Sequence, residues 1–351
     1  MCANLSAGVQ PLERFFLGVA ILTLIATLFV GGLALLAQWA RESRGAEITL
    51  LTGLLALSLL IGGLGVITGL GLVLTAAGDA VPAQDRLAFV AAGVAAILVG
   101  IAGVALCVPP LRRVLGYRLK NAFWADPPVF FALWLLVVML ANNAVSFLIF
   151  TQEPDVSLLF PSGRISPAAV LTSQLPFVVV ALAGVGLGVR RGLRETLSRL
   201  GYGPISPKQI GVVALFIAGA FGLSVAADAL FAATQPDLYR TVGELSDSLF
   251  NPQGLGPVAA VAFAFMIGVG AALGEETLFR GAVQPMLGIP LTSILFASMH
   301  IQYGPSALLA YIFVLSIGLG LLRRHINTTA SFIAHAGFNT LGVLLSYIFG
   351  S

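Results

Sequence analysis

Residues 15–39 read FFLGVAILTLIATLFVGGLALLAQW, a run without a single charged side chain. A helix needs about 20 apolar residues to cross the hydrocarbon layer of a bilayer. This run is too long for the apolar core of a cleaved signal peptide, so it reads as a membrane span. Runs of similar character recur near 48–77, 87–109, 129–150, 168–189, 210–233, 256–287, 290–303, 305–322 and 328–349. They predict an all-α polytopic transmembrane bundle of about eight to ten spans. The run at 290–303 is the shortest, and a broken or re-entrant helix fits it as well as a full crossing. Composition agrees: 9% of the 351 residues are charged and 58% hydrophobic, whereas a soluble domain carries about 25% charge. The lipid bilayer is therefore the first expected partner.

The net charge of +3 comes from short loops and is a topology signal, not a nucleic-acid patch. Loops 40–47, 110–128, 190–209 and 323–327 hold thirteen Lys and Arg, including Arg112, Arg113, Arg118 and Lys120. The opposite loops hold four: Arg14, Arg86, Arg164 and Arg240. That bias places the first set in the cytoplasm and, with ten crossings, both termini outside. Residues 190–209 read as a short basic amphipathic helix followed by a Gly/Pro turn, and 235–255 as an outer loop or interfacial helix. Gly53, Gly62, Gly63, Gly65, Gly69 and Gly71 crowd the second span, as close helix packing requires. Two cysteines, Cys2 and Cys107, offer neither a disulfide framework nor a CxxC metal pair. Compact loops and an Ala/Gly/Leu-rich composition point to a prokaryotic cell membrane.

Ionisable residues inside a membrane are costly and are functional candidates by default. Three clusters in the last third of the chain qualify. In GEETLFRG (274–281), Glu276 and Arg280 are four apart, with the carboxylate N-terminal to the cation, the favourable order for a helical ion pair. Glu275, rotated about 100° from Glu276 on an α-helix, is left without that partner. In FASMH (296–300), His300 falls ten residues past Pro290, about 15 Å along a helix. In HAGFN (335–339), His335 and Asn339 share a helix face. A carboxylate, two imidazoles and an amide meeting in a dry pocket could activate water and hold an oxyanion. Elsewhere, Asn142 and Asn143 read as interhelical hydrogen-bonding groups, Asp228 as a snorkelling or capping residue, and His325 as a solvated loop residue.

GEETLFRG, FASMH and HAGFN resemble, complete and in order, the EExxxR, FxxxH and HxxxN motifs of the CPBP family. These are the CAAX-type prenyl-protein proteases and bacteriocin-processing enzymes, also called Abi-family proteins. The resemblance covers roughly residues 205–350, so residues 205–351 form the expected protease core and 1–204 an additional membrane region. It implies a glutamate-dependent intramembrane endopeptidase acting on a membrane-associated peptide or protein, with the prenylated CAAX type among the substrate classes it brings forward. On that reading Glu275 and His300 activate water, and His335 and Asn339 hold the oxyanion. Glu276, Arg280 and Phe296 are then structural or substrate-positioning, and no cofactor is required.

Three other readings use the same residues. Glu275, His300 and His335 make a plausible zinc set, though without an HExxH motif. Buried carboxylates could serve a proton-coupled carrier, though the inverted repeats common in carriers are missing. A non-enzymatic scaffold or immunity protein could retain the motifs.

Overall fold

The computed structural model describes residues 6–75, 83–108, 110, 114, 126–152 and 164–350. Cys2, Arg112, Arg113, Arg118 and Lys120 lie outside the described residues. The described chain is all-helical, as the apolar runs predict. Its helices are α1 (Ser6–Trp39), α2 (Arg44–Thr75), α3 (Ala83–Cys107), α4 (Pro127–Gln152), α5 (Pro167–Gly184) and α6 (Leu193–Leu200). They continue as α7 (Pro207–Thr234), α8 (Pro236–Phe250), α9 (Pro257–Glu275), a π-helix (Glu276–Val283), α10 (Gln284–Ser298), α11 (Ala307–His325) and α12 (Thr328–Phe349). Among the described residues nine helical stretches are long and apolar enough to cross a membrane. The protein is thus an integral membrane protein.

The helix starts follow local chemistry. Ser166 and Ser206 cap α5 and α7, each followed by a proline at the first helical position, where its missing N–H costs nothing. Asn327 caps α12 by accepting from the Ala330 amide at 3.0 Å. The basic stretch after α5 forms α6 and stops at Gly201, whose φ of +82° suits a glycine C-cap. The polar stretch 235–255 forms α8. Asp228 accepts a 3.1 Å hydrogen bond from the Tyr239 hydroxyl, a local tie between α7 and α8.

The stretch Pro257–Ser298 is a single helical run of 42 residues, about 63 Å if straight and far more than a bilayer needs. It is not straight. Gly288 has φ +78° and ψ 170°, a non-helical conformation that kinks the run and that a side chain would resist. The two sequence runs 256–287 and 290–303 are thereby separated. The piece after Gly288 ends at Ser298, too short to cross at 1.5 Å per residue. His300 sits at the end of this half-helix, before a 3₁₀ turn (Ile301–Tyr303).

Helices from the first half of the chain pack directly on this segment. Val129, Leu133 and Leu136 of α4 share a buried cluster with Phe279, Leu287, Leu295 and Phe296. Asn143 of α4 donates to Ser298 Oγ at 2.9 Å, an interhelical bond of the expected kind. A Cβ on Gly274 would lie 3.0 Å from the backbone carbonyl oxygen of Gln174, so α5 and α9 touch backbone to backbone. In α2 the glycines at the contact are Gly62 and Gly65, which face Gly100, Ala96 and Gly93 of α3. Gly53 and Gly63 meet nothing.

Candidate active site

The site forms where α9 gives way to the π-helix. Glu275 is the last α-helical residue and Glu276 the first π-helical one. The wider π turn, a rare geometry concentrated at functional sites, carries the whole ETLFRGAV sequence. Within it, Glu276 and Arg280 are both fully buried, and Arg280 Nη1 lies 3.2 Å from Glu276 Oε1. The ion pair read from the sequence is therefore present, on a helix of different pitch from the α-helix assumed. Arg280 also donates from Nη2 to Ser316 Oγ at 3.1 Å, and its guanidinium stacks 4.4 Å from the Phe296 ring centroid. An arginine so enclosed needs both the carboxylate and the ring face to offset its lost hydration.

The second partner of Glu276 comes from α12. His335 Nδ1 lies 2.9 Å from Glu276 Oε1. A carboxylate can only accept, so Nδ1 carries the proton and Nε2 faces the opposite way. There Nε2 stands 3.9 Å from Glu275 Oε2, close but beyond a hydrogen bond. Glu275 is 15% exposed, and its Oε2 has no hydrogen-bond partner. The two adjacent glutamates thus differ: Glu276 is sealed and held through Oε1 by Arg280 and His335, whereas Glu275 is 15% exposed and no hydrogen bond among the described residues ties it down, although Oε2 of each is buried without a hydrogen-bond partner.

Phe296 links the remaining imidazole to this pair. Its ring lies 4.9 Å from His300 and 6.1 Å from His335, centroid to centroid. His300 Nδ1 donates to the Phe296 carbonyl at 2.9 Å, which leaves Nε2 as the ring's acceptor. Asn339 is half-buried one turn beyond His335 and makes no hydrogen bond among the described residues. The structure therefore brings Glu275, Glu276, Arg280, Phe296 and His335 into one cluster and joins His300 through Phe296. Asn339 shares the helix face but makes no hydrogen bond to the others.

Three contributors were not read from the sequence. Tyr303 stacks on His300, its ring nearly parallel at 6.2 Å; an aromatic three positions after the histidine was the available signal. Tyr202, in the turn after α6, shares a 2.6 Å hydrogen bond with Thr277, the residue after Glu276. Ser298, held by Asn143, fixes the end of α10 two residues before His300. Nothing in the spacing of either pair could have announced it. An apolar cavity of about 110 Å³ opens beside the π-helix, lined by Phe131, Leu135, Phe177, Phe279, Leu287 and Met299 among others. Among the described residues no three His, Cys, Asp or Glu side chains gather as a metal-ligand group.

Fold and site together define a polytopic helical membrane protein with a buried Glu–Arg–His cluster and an adjacent free glutamate. Residues 257–341 match the family of type II CAAX prenyl endopeptidase Rce1-like proteins. That match and the three motifs support assigning this segment to the CPBP/CAAX proteases and support a membrane-embedded peptidase activity. The matched segment contains every candidate site residue and none of the first 256. No curated protein and no solved structure matches the chain.

Proposed function

We propose that the protein is a glutamate-dependent intramembrane endopeptidase whose general base is Glu275. Its substrates are membrane-associated proteins or peptides, with prenylated CAAX-type termini the class that the family match brings forward. The observation that carries this reading is the asymmetry of the two glutamates. Glu276 is held through Oε1 by Arg280 and His335, while the Glu275 side chain is 15% exposed and its buried Oε2 is uncommitted.

In this mechanism Glu275 takes a proton from a water that also donates to His300 Nε2. The water oxygen attacks the scissile carbonyl carbon, and the carbonyl oxygen becomes an oxyanion. His335 Nε2–H and the Asn339 amide donate to that oxygen. The His335 donation requires a ring protonated on both nitrogens, with the Nδ1 proton directed to Glu276. As the C–N bond breaks, the proton held by Glu275 passes to the leaving amine. Residues 205–351 carry these groups, and the helices of 1–204 brace them.

The test compares membranes of cells carrying the wild-type protein with those carrying Glu275→Gln. A membrane-associated protein that accumulates uncleaved only with the variant is the expected result. The purified protein should then cleave that substrate, or a farnesylated CAAX peptide, and should do so after exhaustive chelation. Full activity in Glu275→Gln would remove the glutamate mechanism. Loss on chelation with recovery on adding zinc would replace it by a metal-dependent one.

A further inference from the structure

Three half-buried arginines lie close together where the end of α6 packs beside the loop after α5 and the start of α12: Leu200 shares a buried cluster with Val185, and its carbonyl accepts from Thr328 Oγ1 at 2.6 Å. Arg199 lies in the last turn of α6, and the charges acting on it are those of Arg191, Arg323 and Arg41, all positive. Burial, then this repulsion, lowers the Arg199 pKa below the ordinary arginine value. Arg323 reaches the same corner: a Cβ added to Gly201 would stand 3.0 Å from its Nη2. Arg191 donates to the Val185 carbonyl at 2.5 Å, and Arg323 Nε donates to the Arg280 carbonyl at 3.2 Å. Their neighbours are neutralised. Arg41 pairs with Asp126, and Arg190 pairs with Glu42 at 2.9 Å. Among the described residues no carboxylate pairs with Arg191, Arg199 or Arg323.

Like charges drawn together in a half-buried corner repel unless an anion sits between them. The position of the corner narrows the choice of anion. Nearby span ends are Gly184, Pro207 and His325, so it lies at the level where helices leave the bilayer. Beside it Val189, Leu193 and Leu197 are 46%, 63% and 43% exposed, an apolar surface that a soluble anion would leave wet and acyl chains would cover. Basic pockets between helices at this depth suit phospholipid headgroups. We propose that Arg191, Arg199 and Arg323 form a binding site for the phosphate of an anionic phospholipid. Because Arg323 also holds the Arg280 carbonyl, an occupied site steadies the π-helix that carries Glu276.

The proposal is tested on the full chain in phosphatidylcholine nanodiscs with and without phosphatidylglycerol, and in detergent with inorganic phosphate. Retained lipid is counted by native mass spectrometry, and the unfolding temperature is measured in parallel. Phosphatidylglycerol should be retained and should raise the unfolding temperature, whereas inorganic phosphate should not. Arg199→Gln and Arg191→Gln should each weaken phosphatidylglycerol binding by roughly tenfold or more, the effect of losing one charge-assisted hydrogen bond. Arg194→Gln removes the same charge from an exposed position on α6 and should bind as wild type does. Should one arginine variant fail to fold, the other decides. Equal lipid retention by Arg194→Gln and the folded cluster variants would overturn the site. A full shift with inorganic phosphate would overturn its assignment to a lipid.

Discussion

Glu276 holds His335 across the site: its Oε1 lies 2.9 Å from the His335 Nδ1 of a different helix. The same oxygen lies 3.2 Å from Arg280 Nη1. One buried carboxylate therefore ties the π-helix to α12 and decides which face of the imidazole is presented to Glu275. Positioning of this kind is what a dry site needs, because a ring free to turn would lose its alignment with the reacting atoms.

The two glutamates should respond differently to neutralisation. Glu276→Gln or Arg280→Ala strands a fully buried charge, and breaking such a pair costs about 3–5 kcal/mol. Either variant should unfold at markedly lower temperature than wild type. Glu275→Gln keeps the packing and should unfold close to wild type while losing hydrolysis. Thermal unfolding in detergent checks this, and equal destabilisation of all three variants would contradict the division of roles.

Much of this was legible in the sequence, for identifiable reasons. Apolar runs disclose spans because the bilayer fixes their length, and the gap between the runs 256–287 and 290–303 coincides with the positive φ at Gly288. The Glu276–Arg280 spacing announced its ion pair. The contact between Glu276 and His335 did not announce itself, because it joins residues 59 apart and helical periodicity carries no information across that gap. The π-helix was also hidden: an apolar segment with two carboxylates reads equally well at either pitch. Reading Glu276 as the partner of Arg280 alone therefore missed its hold on the second histidine.

Close packing of α9 on α12 sets the distance between Glu275 and His335, and Gly268 is where the helices touch. A Cβ at Gly268 would meet Thr340 Oγ1, the Ala336 carbonyl at 2.5 Å and the Thr340 amide at 2.8 Å. Two of these are backbone atoms that cannot turn aside. Gly268→Ala should cost about 1–3 kcal/mol by overpacking and lower activity as the helices separate. Gly219→Ala, where a Cβ meets nothing within 4 Å, should do neither. Parallel melting curves and peptide-cleavage rates on the two variants provide the check.

Tyr202 ties the turn after α6 to the catalytic segment through Thr277. Burial, opposed by that hydrogen bond and reinforced by the Glu276 charge, raises its pKa above the ordinary 10.0. The neutral phenol is thus the form favoured by folding, so its contribution is complete below about pH 10 and falls as pH rises through the folded-state value. Tyr202→Phe should cost about 0.5–1.5 kcal/mol near neutrality. It should also show a shallower loss of stability on the alkaline side than wild type. Unfolding temperature followed from neutral to strongly alkaline pH checks both the size and the sign.

Asn339 separates the oxyanion role from substrate binding. It lies one helical turn from His335 on the same face of α12 and makes no hydrogen bond among the described residues, so its amide is free to donate. A donor aimed at charge that develops only during reaction lowers the barrier without tightening the ground-state complex. Losing one such donor typically costs about 10²–10³ in kcat. Asn339→Ala should therefore reduce kcat by that order and leave KM near the wild-type value on a defined peptide. Its unfolding temperature should be nearly unchanged, because no protein hydrogen bond is broken. A variant with wild-type kcat and a raised KM would make Asn339 a substrate-binding group, and His335 would then be the sole side-chain donor left to the oxyanion.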